Sequence, residues 1–420
     1  MVIGTMIGSG VFLLPTTLAT YGANALAGWA VTIGGTMCLA FSFALQAAVD
    51  PNGPHSYVKS AFGEQIAFLT SWSYIISQWT GVAAVAVAVA GALAHVWAPL
   101  SAPQLTGPMA IASIVILLLV NLKGARSAGA LQVVATAIKV IPLVVVVGLI
   151  AGRLISDGTS EPLAPMPLSI AGVGTASALM LFSLTGFESA SMTATRTRDP
   201  KKTVPFATMF GTGVTGLIYV AAVTAVMLLL PHSLAAKSSA PFADAIAPAF
   251  GPTASIIVAA ITAISAFGTL NALLLVTGEI TVAVAKTGDL PRLLSRRTAS
   301  DTAAAALIAA SAIGALMVLA SSSRGFVQLY IFISLISTVS ILVLYLVGAA
   351  SALKHRMGTK ARLLVIIGIV YAIWTFIGAG AEPFFWGMAL LAIGWPIRII
   401  SRWLNGTSQT VGTHRASPRG

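Results

Sequence analysis

The chain has 420 residues, of which 57% are hydrophobic and 8% charged, and its formal net charge is +12. A soluble globular protein carries about 25% charged residues, so this composition excludes a chain whose main solvent is water. The basic residues occur in short loops and not along one helix face, which argues against nucleic acid as a partner. The lipid bilayer is therefore the expected surrounding.

Apolar runs recur along the chain, and each is long enough to cross a hydrocarbon core about 30 Å thick at about 1.5 Å per residue. They predict an all-α integral membrane protein with twelve spans, at residues 1–19, 26–49, 64–97, 106–121, 129–152, 170–194, 206–231, 253–285, 302–320, 325–352, 362–379 and 384–400. The runs at 64–97 and 253–285 are longer than one span needs, which predicts tilt or extension beyond the membrane. Residues 401–420 are polar and predict a disordered tail.

The distribution of lysine and arginine predicts the orientation, because basic loops are retained on the cytoplasmic side. With both termini inside, only Arg153, Lys237 and Arg324 fall in outer loops, and Lys139 falls within a span. That leaves nineteen of the 23 basic residues on the inner side. The charge pattern thus agrees with an even number of spans in a plasma (inner) membrane.

The first span contains the sequence GTMIGSG at residues 4–10. Each glycine in a helix interior costs about 1 kcal/mol relative to alanine, so three within seven residues require a reason. Gly4 and Gly8 have the GxxxG spacing of close helix packing. The alternative is an unwound helix whose freed backbone groups bind a polar ligand near the midplane.

The sixth span places Gly186 and Glu188 inside an apolar segment. A charge at that depth costs at least about 2.5 kcal/mol and normally lines a cavity or a proton path. Interruptions in the first and sixth spans are the expected mark of an inverted repeat with a binding site at its interface. The two signals together favour a binding site over simple helix packing.

Lys139 is the third unusual feature within a span, and it lies near the centre of the fifth. It lies too deep to reach the interface easily, and so it needs a carboxylate, backbone carbonyls or loss of its proton. A lysine able to lose its proton predicts a coupling group, and a structural ion pair is the alternative. Glu279 lies near the inner end of the eighth span, where a solvated or paired role is expected.

Signatures of enzymes are absent from the sequence, which contains no Walker loop, HExxH, CxxC or GxSxG motif. The five histidines show no spacing typical of metal ligands, so no metal or cofactor is predicted. An ATP-driven pump would require the phosphate loop. Transport driven by an ion gradient or by exchange is what remains, and a membrane enzyme is disfavoured.

Four stretches carry a family resemblance: GTMIGSGVFLLP at 4–15, GFESAS at 186–191, DPKKTVP at 199–205 and SAPFAD at 239–244. Through them the chain resembles the amino acid/polyamine/organocation (APC) superfamily, and in particular its bacterial basic amino acid/polyamine antiporters of the arginine/agmatine exchanger type. The resemblance implies a leucine-transporter-like fold and alternating access. Its two inverted five-helix repeats would occupy about 1–152 and 170–352, followed by two helices at 362–400.

The resemblance also implies a site for an amino acid or amine at the two broken helices. Its substrate-binding residues would be Thr5, Met6, Gly8, Ser9 and Gly10 of the first span, Phe182, Thr185 and Gly186 of the sixth, and Val82, Leu273 and Ser337. Glu188 matches the family's gating carboxylate, and Tyr74 matches an aromatic residue near the gate. The resemblance is also compatible with a homodimer.

Three departures from the exchanger bear on the substrate. Its eighth-span and sixth-span tryptophans correspond to Leu273 and Phe182, and a third-span asparagine corresponds to Val82. A hydrocarbon where a guanidinium needs a stacking surface or an acceptor disfavours arginine. The main prediction is therefore a neutral or apolar amino acid, and the alternative is a basic amino acid/polyamine exchanger.

Lys139 resembles the fifth-span lysine of proton-coupled members of the superfamily, in which an ammonium replaces sodium. Proton coupling, by symport or antiport, is the leading hypothesis on that resemblance. A sensor or channel-like protein that binds an amino acid without cycling is the alternative from another class, but no signalling domain accompanies the spans. Only three residues precede the Gly-rich break, so we expect a start site further upstream, or else a shortened first helix.

Overall fold

The computed structural model describes residues 2–8, 10–50, 52–123, 129–156, 158–192, 197, 199–298 and 301–413, without the side chains of 129–138 and 406–413. The described residues form sixteen α-helices joined by short 3-10 turns and loops. The helices are α1 (Val2–Met6), α2 (Gly10–Leu18), α3 (Ala23–Val49), α4 (Pro54–Phe62), α5 (Glu64–Val96), α6 (Thr106–Leu122), α7 (Gly129–Ser156), α8 (Ile170–Leu184), α9 (Ser189–Met192), α10 (Pro200–Leu229), α11 (His232–Ala235), α12 (Pro241–Lys286), α13 (Ala304–Ala320), α14 (Phe326–Ala352), α15 (Thr359–Gly378) and α16 (Ala381–Thr413).

The helices confirm the all-α membrane class and the twelve predicted spans. Ten segments of the described chain are long and apolar enough to cross a membrane, and two shorter apolar helices complete the set. The first and sixth spans are each divided in two, as α1 with α2 and α8 with α9. The long runs at 64–97 and 253–285 are each one span and do not conceal a second.

Several predicted boundaries differ from the observed ones. The seventh span begins at Pro200 and not at 206, because the basic turn before it is already helical. Helix α12 begins at Pro241, but Gly251 has φ +82° and separates a short preceding helix from the predicted span. Helix α16 continues to Thr413, past the predicted end of the last span at 400. Its apolar residues at 399, 400, 403 and 404 continue the helical spacing beyond the charged turn.

The outer surface is apolar, and many polar side chains are buried between the helices. Ile155, Leu217 and Ile377 are 86%, 72% and 77% exposed, whereas Gln46 and Lys139 are almost fully buried. Such a distribution would be unfavourable in water but suits a lipid environment, where buried polar groups find partners in other helices. The chain is therefore a multi-pass membrane protein.

Four pairs of spans that lie five apart in sequence pack against each other. Helix α3 contacts α10, α5 contacts α12, and α6 contacts α13, which pairs the second span with the seventh, the third with the eighth and the fourth with the ninth. Helix α2 likewise packs on α8. The pairing is what an offset of five helices between two repeats predicts.

The ion pairs of the described chain agree with the predicted sides of the membrane. Arg402 contacts Glu64, and both residues lie at span ends that are predicted to face the inner side. Arg324 contacts Glu382, and both residues lie in loops that are predicted to face the outer side. No ion pair among the described residues joins a residue of the predicted inner side to one of the predicted outer side. The two ends of the molecule are therefore distinguished by their charges.

Candidate substrate site at two broken helices

The first break separates α1 from α2 at Ile7 and Gly8. Met6 O accepts hydrogen bonds from Gly8 N at 2.7 Å and from the hydroxyl of Tyr219 on α10 at 2.7 Å. A Cβ on Gly10 would lie 2.8 Å from Ser183 Oγ, so only glycine permits α2 to approach α8 this closely. Gly8 lies at the break and Gly10 begins α2, whereas Gly4 lies within α1. Ser9 is outside the described residues.

The second break follows Leu184, the last residue of α8, and ends where α9 begins at Ser189. Gly186 has φ +115°, a conformation that favours glycine. The Thr185 hydroxyl donates to Phe182 O at 2.8 Å and satisfies one carbonyl of the last turn of α8. The predicted interruption of the sixth span is therefore present at Gly186.

The two breaks are in contact with each other. The Thr5 hydroxyl donates to Val2 O within α1 at 2.8 Å, and its oxygen lies 3.1 Å from Ser189 Oγ, which can donate to it, and 3.3 Å from Gly186 O. A Cβ on Gly186 would lie 3.3 Å from Met6 N. Residues separated by about 180 positions thus form one junction, at which the ends of two interrupted helices meet.

Glu188 is buried beside this junction, with 2% of its surface exposed. Its Oε2 accepts hydrogen bonds from Gly186 N at 3.0 Å and from the Tyr345 hydroxyl on α14 at 2.8 Å. Phe187 stacks on the Tyr345 ring at 4.7 Å between centroids, and Tyr74 belongs to the same buried cluster. The carboxylate therefore links the broken sixth span to the tenth.

Lys139 lies on the other side of the first break and is 2% exposed. Its Nζ donates to Ile7 O and to Thr269 Oγ1 on α12, both at 3.3 Å. Within the described part of the chain, no carboxylate lies within 4.0 Å of this ammonium. The lysine joins the first, fifth and eighth spans through oxygen atoms, and the alternative of a structural ion pair finds no partner among the described residues.

Leu273 and Ser337 approach the third span at Gly81. A Cβ on Gly81 would lie 3.7 Å from Leu273 Cδ1 and 4.0 Å from Ser337 Oγ. The Ser337 hydroxyl donates to Ser77 O at 2.9 Å, which holds α14 against α5. Gln78 lies one turn before Gly81, on the same face of α5, and is 8% exposed.

Val82 does not lie with the other predicted substrate residues. Its Cγ1 lies 3.0 Å from the Cβ position of Gly314, so its side chain faces α13. One residue of helix corresponds to a rotation of about 100°, and this rotation brings Gly81 to the site and turns Val82 away from it. Gly81, with Ser77 and Gln78 on the same face of α5, is therefore the part of the third span that approaches Leu273 and Ser337.

An aromatic pair lies beside this part of the site. Phe182 and Tyr330 on α14 meet edge to face, with 6.1 Å between ring centroids. The family resemblance predicts Phe182 as a site residue, but no feature of the sequence points to Tyr330. Tyr219, Tyr345, Thr269 and Ser183 were also not predicted, because they approach the breaks only through the fold.

The described residues contain no cluster of three His, Cys, Asp or Glu side chains that could hold a metal. What the site offers is helix-end backbone groups, hydroxyls, aromatic faces, one carboxylate and one ammonium, all near the middle of membrane spans. Such a set can bind and release a polar solute, but it lacks a nucleophile with an adjacent base. The fold and the site define a membrane transport protein.

Comparison with known proteins agrees with this class. An amino acid permease family model matches residues 1–400. The chain therefore belongs to the amino acid permease family of the APC superfamily, whose members are transporters and not enzymes.

Three relatives illustrate the similarity. The chain is 31% identical to the cadaverine/lysine antiporter of Escherichia coli K12 over 302 residues, which are 70% of this chain and 66% of the antiporter. It is 24% identical to the putrescine transporter PotE of the same organism over 406 residues, covering 93% of this chain and 92% of that protein. PotE of Haemophilus influenzae is 25% identical, with 93% of each chain covered.

Proposed function

We propose that the chain is a secondary transporter of the plasma membrane that exchanges a basic amino acid for a diamine by alternating access. The juxtaposition of the two helix breaks beside Glu188 carries the proposal, because it places freed backbone groups and a carboxylate at one point within the membrane. The relatives named as a cadaverine/lysine antiporter and a putrescine transporter support the substrate class. The coarser conclusion, secondary transport of amino acids or polyamines, is shared by the family.

The head group of an amino acid fits the helix ends at the breaks. Helix α2 begins at Gly10, where its first N–H groups and the positive end of its dipole suit a carboxylate. Helix α8 ends at Leu184 and directs its carbonyls and the negative end of its dipole to the same junction, which suits an ammonium. The α-carboxylate and α-ammonium can therefore be held at the helix ends, while the charge of Glu188 beside the junction balances the additional positive charge of a basic substrate.

The far end of the substrate meets Leu273, Gly81 and the Phe182–Tyr330 pair. The expectation of a neutral substrate depended on the needs of a guanidinium, which is planar and prefers a bidentate acceptor or a stacking surface. An alkylammonium has a hydrocarbon stem and a compact charge, so Leu273 can cover the stem. Aromatic faces and hydroxyls can then receive the charge. Lysine and cadaverine are consistent with this site, and arginine fits it less well.

Counterflow in proteoliposomes tests the proposal. Vesicles preloaded with unlabelled lysine, cadaverine or putrescine receive labelled lysine outside, and we expect uptake about tenfold faster than in vesicles preloaded with buffer. Labelled leucine and alanine should show no such stimulation. Uptake of a neutral amino acid that needs a pH gradient and no internal substrate would instead support the neutral symporter.

A role for protons is a second proposal, which depends on the position of Lys139. A buried ammonium binds Ile7 O and Thr269 Oγ1 more strongly than a neutral amine does, so loss of the proton of Lys139 would weaken its hold on the first break. We expect Lys139→Ala to abolish the response of transport to an imposed pH gradient. Thr269→Val, which removes one acceptor and keeps the lysine, should retain the response with a higher KM. A full response in Lys139→Ala would refute the coupling role.

A further inference from the structure

A second site lies far from the helix breaks, at the end of the molecule where basic residues concentrate. A cavity of about 670 Å³ opens there between the end of α12, the 3-10 turn Arg292–Ser295 and α16. Four cationic side chains line it: Lys286, Arg292, Arg296 and Arg402. Asn405 completes the wall and donates its side-chain amide to Gly288 O at 3.1 Å.

The positive charge of this cavity is only partly balanced. Arg402 contacts Asp289 at 2.8 Å and Glu64 at 3.1 Å, and Arg398 shares Asp289 from behind. Lys286, Arg292 and Arg296 have no carboxylate within 4.0 Å in the part of the chain that the structure describes. Three like charges that face one cavity repel each other, and an anion within it would relieve that repulsion.

The cavity lies at the edge of the membrane. Two candidate spans, Pro241–Lys286 and Ala381–Asn405, end at residues that line it. Beside it, Leu293 and Trp403 expose 59% and 68% of their surfaces. Tryptophan is enriched at the membrane interface, where one part of the ring meets lipid and another meets water. An anion in the cavity could therefore carry an apolar part that rests on these side chains.

We propose that this cavity binds the phosphate headgroup of an anionic phospholipid. Basic pockets between spans on the cytoplasmic side are suited to such headgroups, and each nearby Lys or Arg strengthens the attraction. A soluble phosphate would use the same cations but would gain nothing from Leu293 and Trp403. The apolar side chains at the rim favour the lipid. This inference does not depend on the identity of the transported substrate.

Lipid titration followed by native mass spectrometry tests the proposal on the full chain in detergent. Phosphatidylglycerol should bind at least about tenfold more tightly than phosphatidylcholine. In the variant Lys286→Gln/Arg292→Gln/Arg296→Gln this preference should disappear. The matched control is Arg356→Gln/Lys360→Gln/Arg362→Gln, which removes one lysine and two arginines from exposed positions just before α15 and in its first turn, on the predicted inner side. The control should keep the preference.

Three results would overturn the proposal: equal binding of the two lipids by the unaltered chain, an equal loss of preference in the control, or retention of the preference in the cavity variant. Displacement of the lipid by micromolar pyrophosphate would assign the cavity to a soluble phosphate instead. If the triple variant does not elute as a single species, the single variants Lys286→Gln and Arg296→Gln replace it. Each single substitution should weaken the binding of phosphatidylglycerol about fivefold, and unchanged binding in both variants would overturn the proposal.

Discussion

Glu188 combines two properties that rarely occur together, a carboxylate buried within a span and hydrogen bonds from two different spans. Its Oε2 is bound by Gly186 N and by the Tyr345 hydroxyl. A movement of the sixth-span break can thus be transmitted to α14 through the hydrogen bonds of this carboxylate. A change in its charge alters both the electrostatics of the site and the geometry of the break.

Replacement of Glu188 by glutamine keeps an acceptor of similar shape and removes the charge. We expect exchange of lysine or putrescine to fall by about ten- to a hundredfold, since a cationic substrate loses its buried counter-charge. Tyr345→Phe removes one hydrogen bond and retains the charge, so its loss should be about tenfold or smaller. Initial rates of counterflow give both values, and an unchanged rate in Glu188→Gln would remove Glu188 from the site.

The residues that could be predicted from sequence are those that are unusual where they occur. A lysine, a glutamate or a set of glycines within an apolar run has an energetic cost, so Lys139, Glu188 and Gly186 gave a signal. Tyrosines are common in spans, and Tyr219 and Tyr345 gave none. The Val82 side chain faces α13 and Gly81 faces Leu273, a detail that similarity to a family does not predict because it does not fix the rotation of a helix to within one residue.

At the scale of elements, the first break is held from outside by α10. The Tyr219 hydroxyl donates to Met6 O, a carbonyl left without an α-helical partner when the helix ends. Glycines explain why α1 can stop, but they do not fix where its last carbonyl points. The seventh span supplies that constraint, which no sequence pattern within the first span could reveal.

Tyr219→Phe tests this constraint. Loss of one buried hydrogen bond should lower the unfolding free energy by about 1 kcal/mol. It should also raise the KM for lysine severalfold with little change in kcat, because the break is less ordered before substrate binds. Tyr57→Phe is the control, since the Tyr57 hydroxyl is buried without a hydrogen bond to the described residues. Equal effects of the two substitutions would show that Tyr219 only packs.

At the scale of the whole molecule, Asp289 ties the loop after α12 to the last span. Its carboxylate is 1% exposed and accepts from Arg398 and Arg402, both at 2.8 Å. Burial alone would raise the pKa of Asp289, but the hydrogen bonds and charges of the two arginines outweigh it and leave the pKa below its ordinary value. The positive-inside pattern predicted where these charges gather, but not that one aspartate connects two of them.

The lowered pKa of Asp289 sets the direction of a pH effect. The stabilisation that it gives is present above the unfolded-state pKa of about 3.9 and is lost as the pH falls through the lower folded-state value. Asp289→Asn should therefore cost about 3 kcal/mol at pH 7, because Arg398 is left buried without its partner. The difference from the unaltered chain should shrink below about pH 4. Melting temperatures in detergent at pH 7, 5, 4 and 3 measure it, and a constant difference would contradict the assignment.

The contact between the two helix breaks has a consequence for how tightly transport is coupled. Ser189 Oγ lies 3.1 Å from Thr5 Oγ1 across the junction, so we expect a tilt of the inner part of the first span to move the sixth as well. A protein whose two hinges share hydrogen bonds moves both in one step and spends little time with access from both sides. Vesicles that contain this protein should therefore leak little substrate and carry little current when no exchange partner is present.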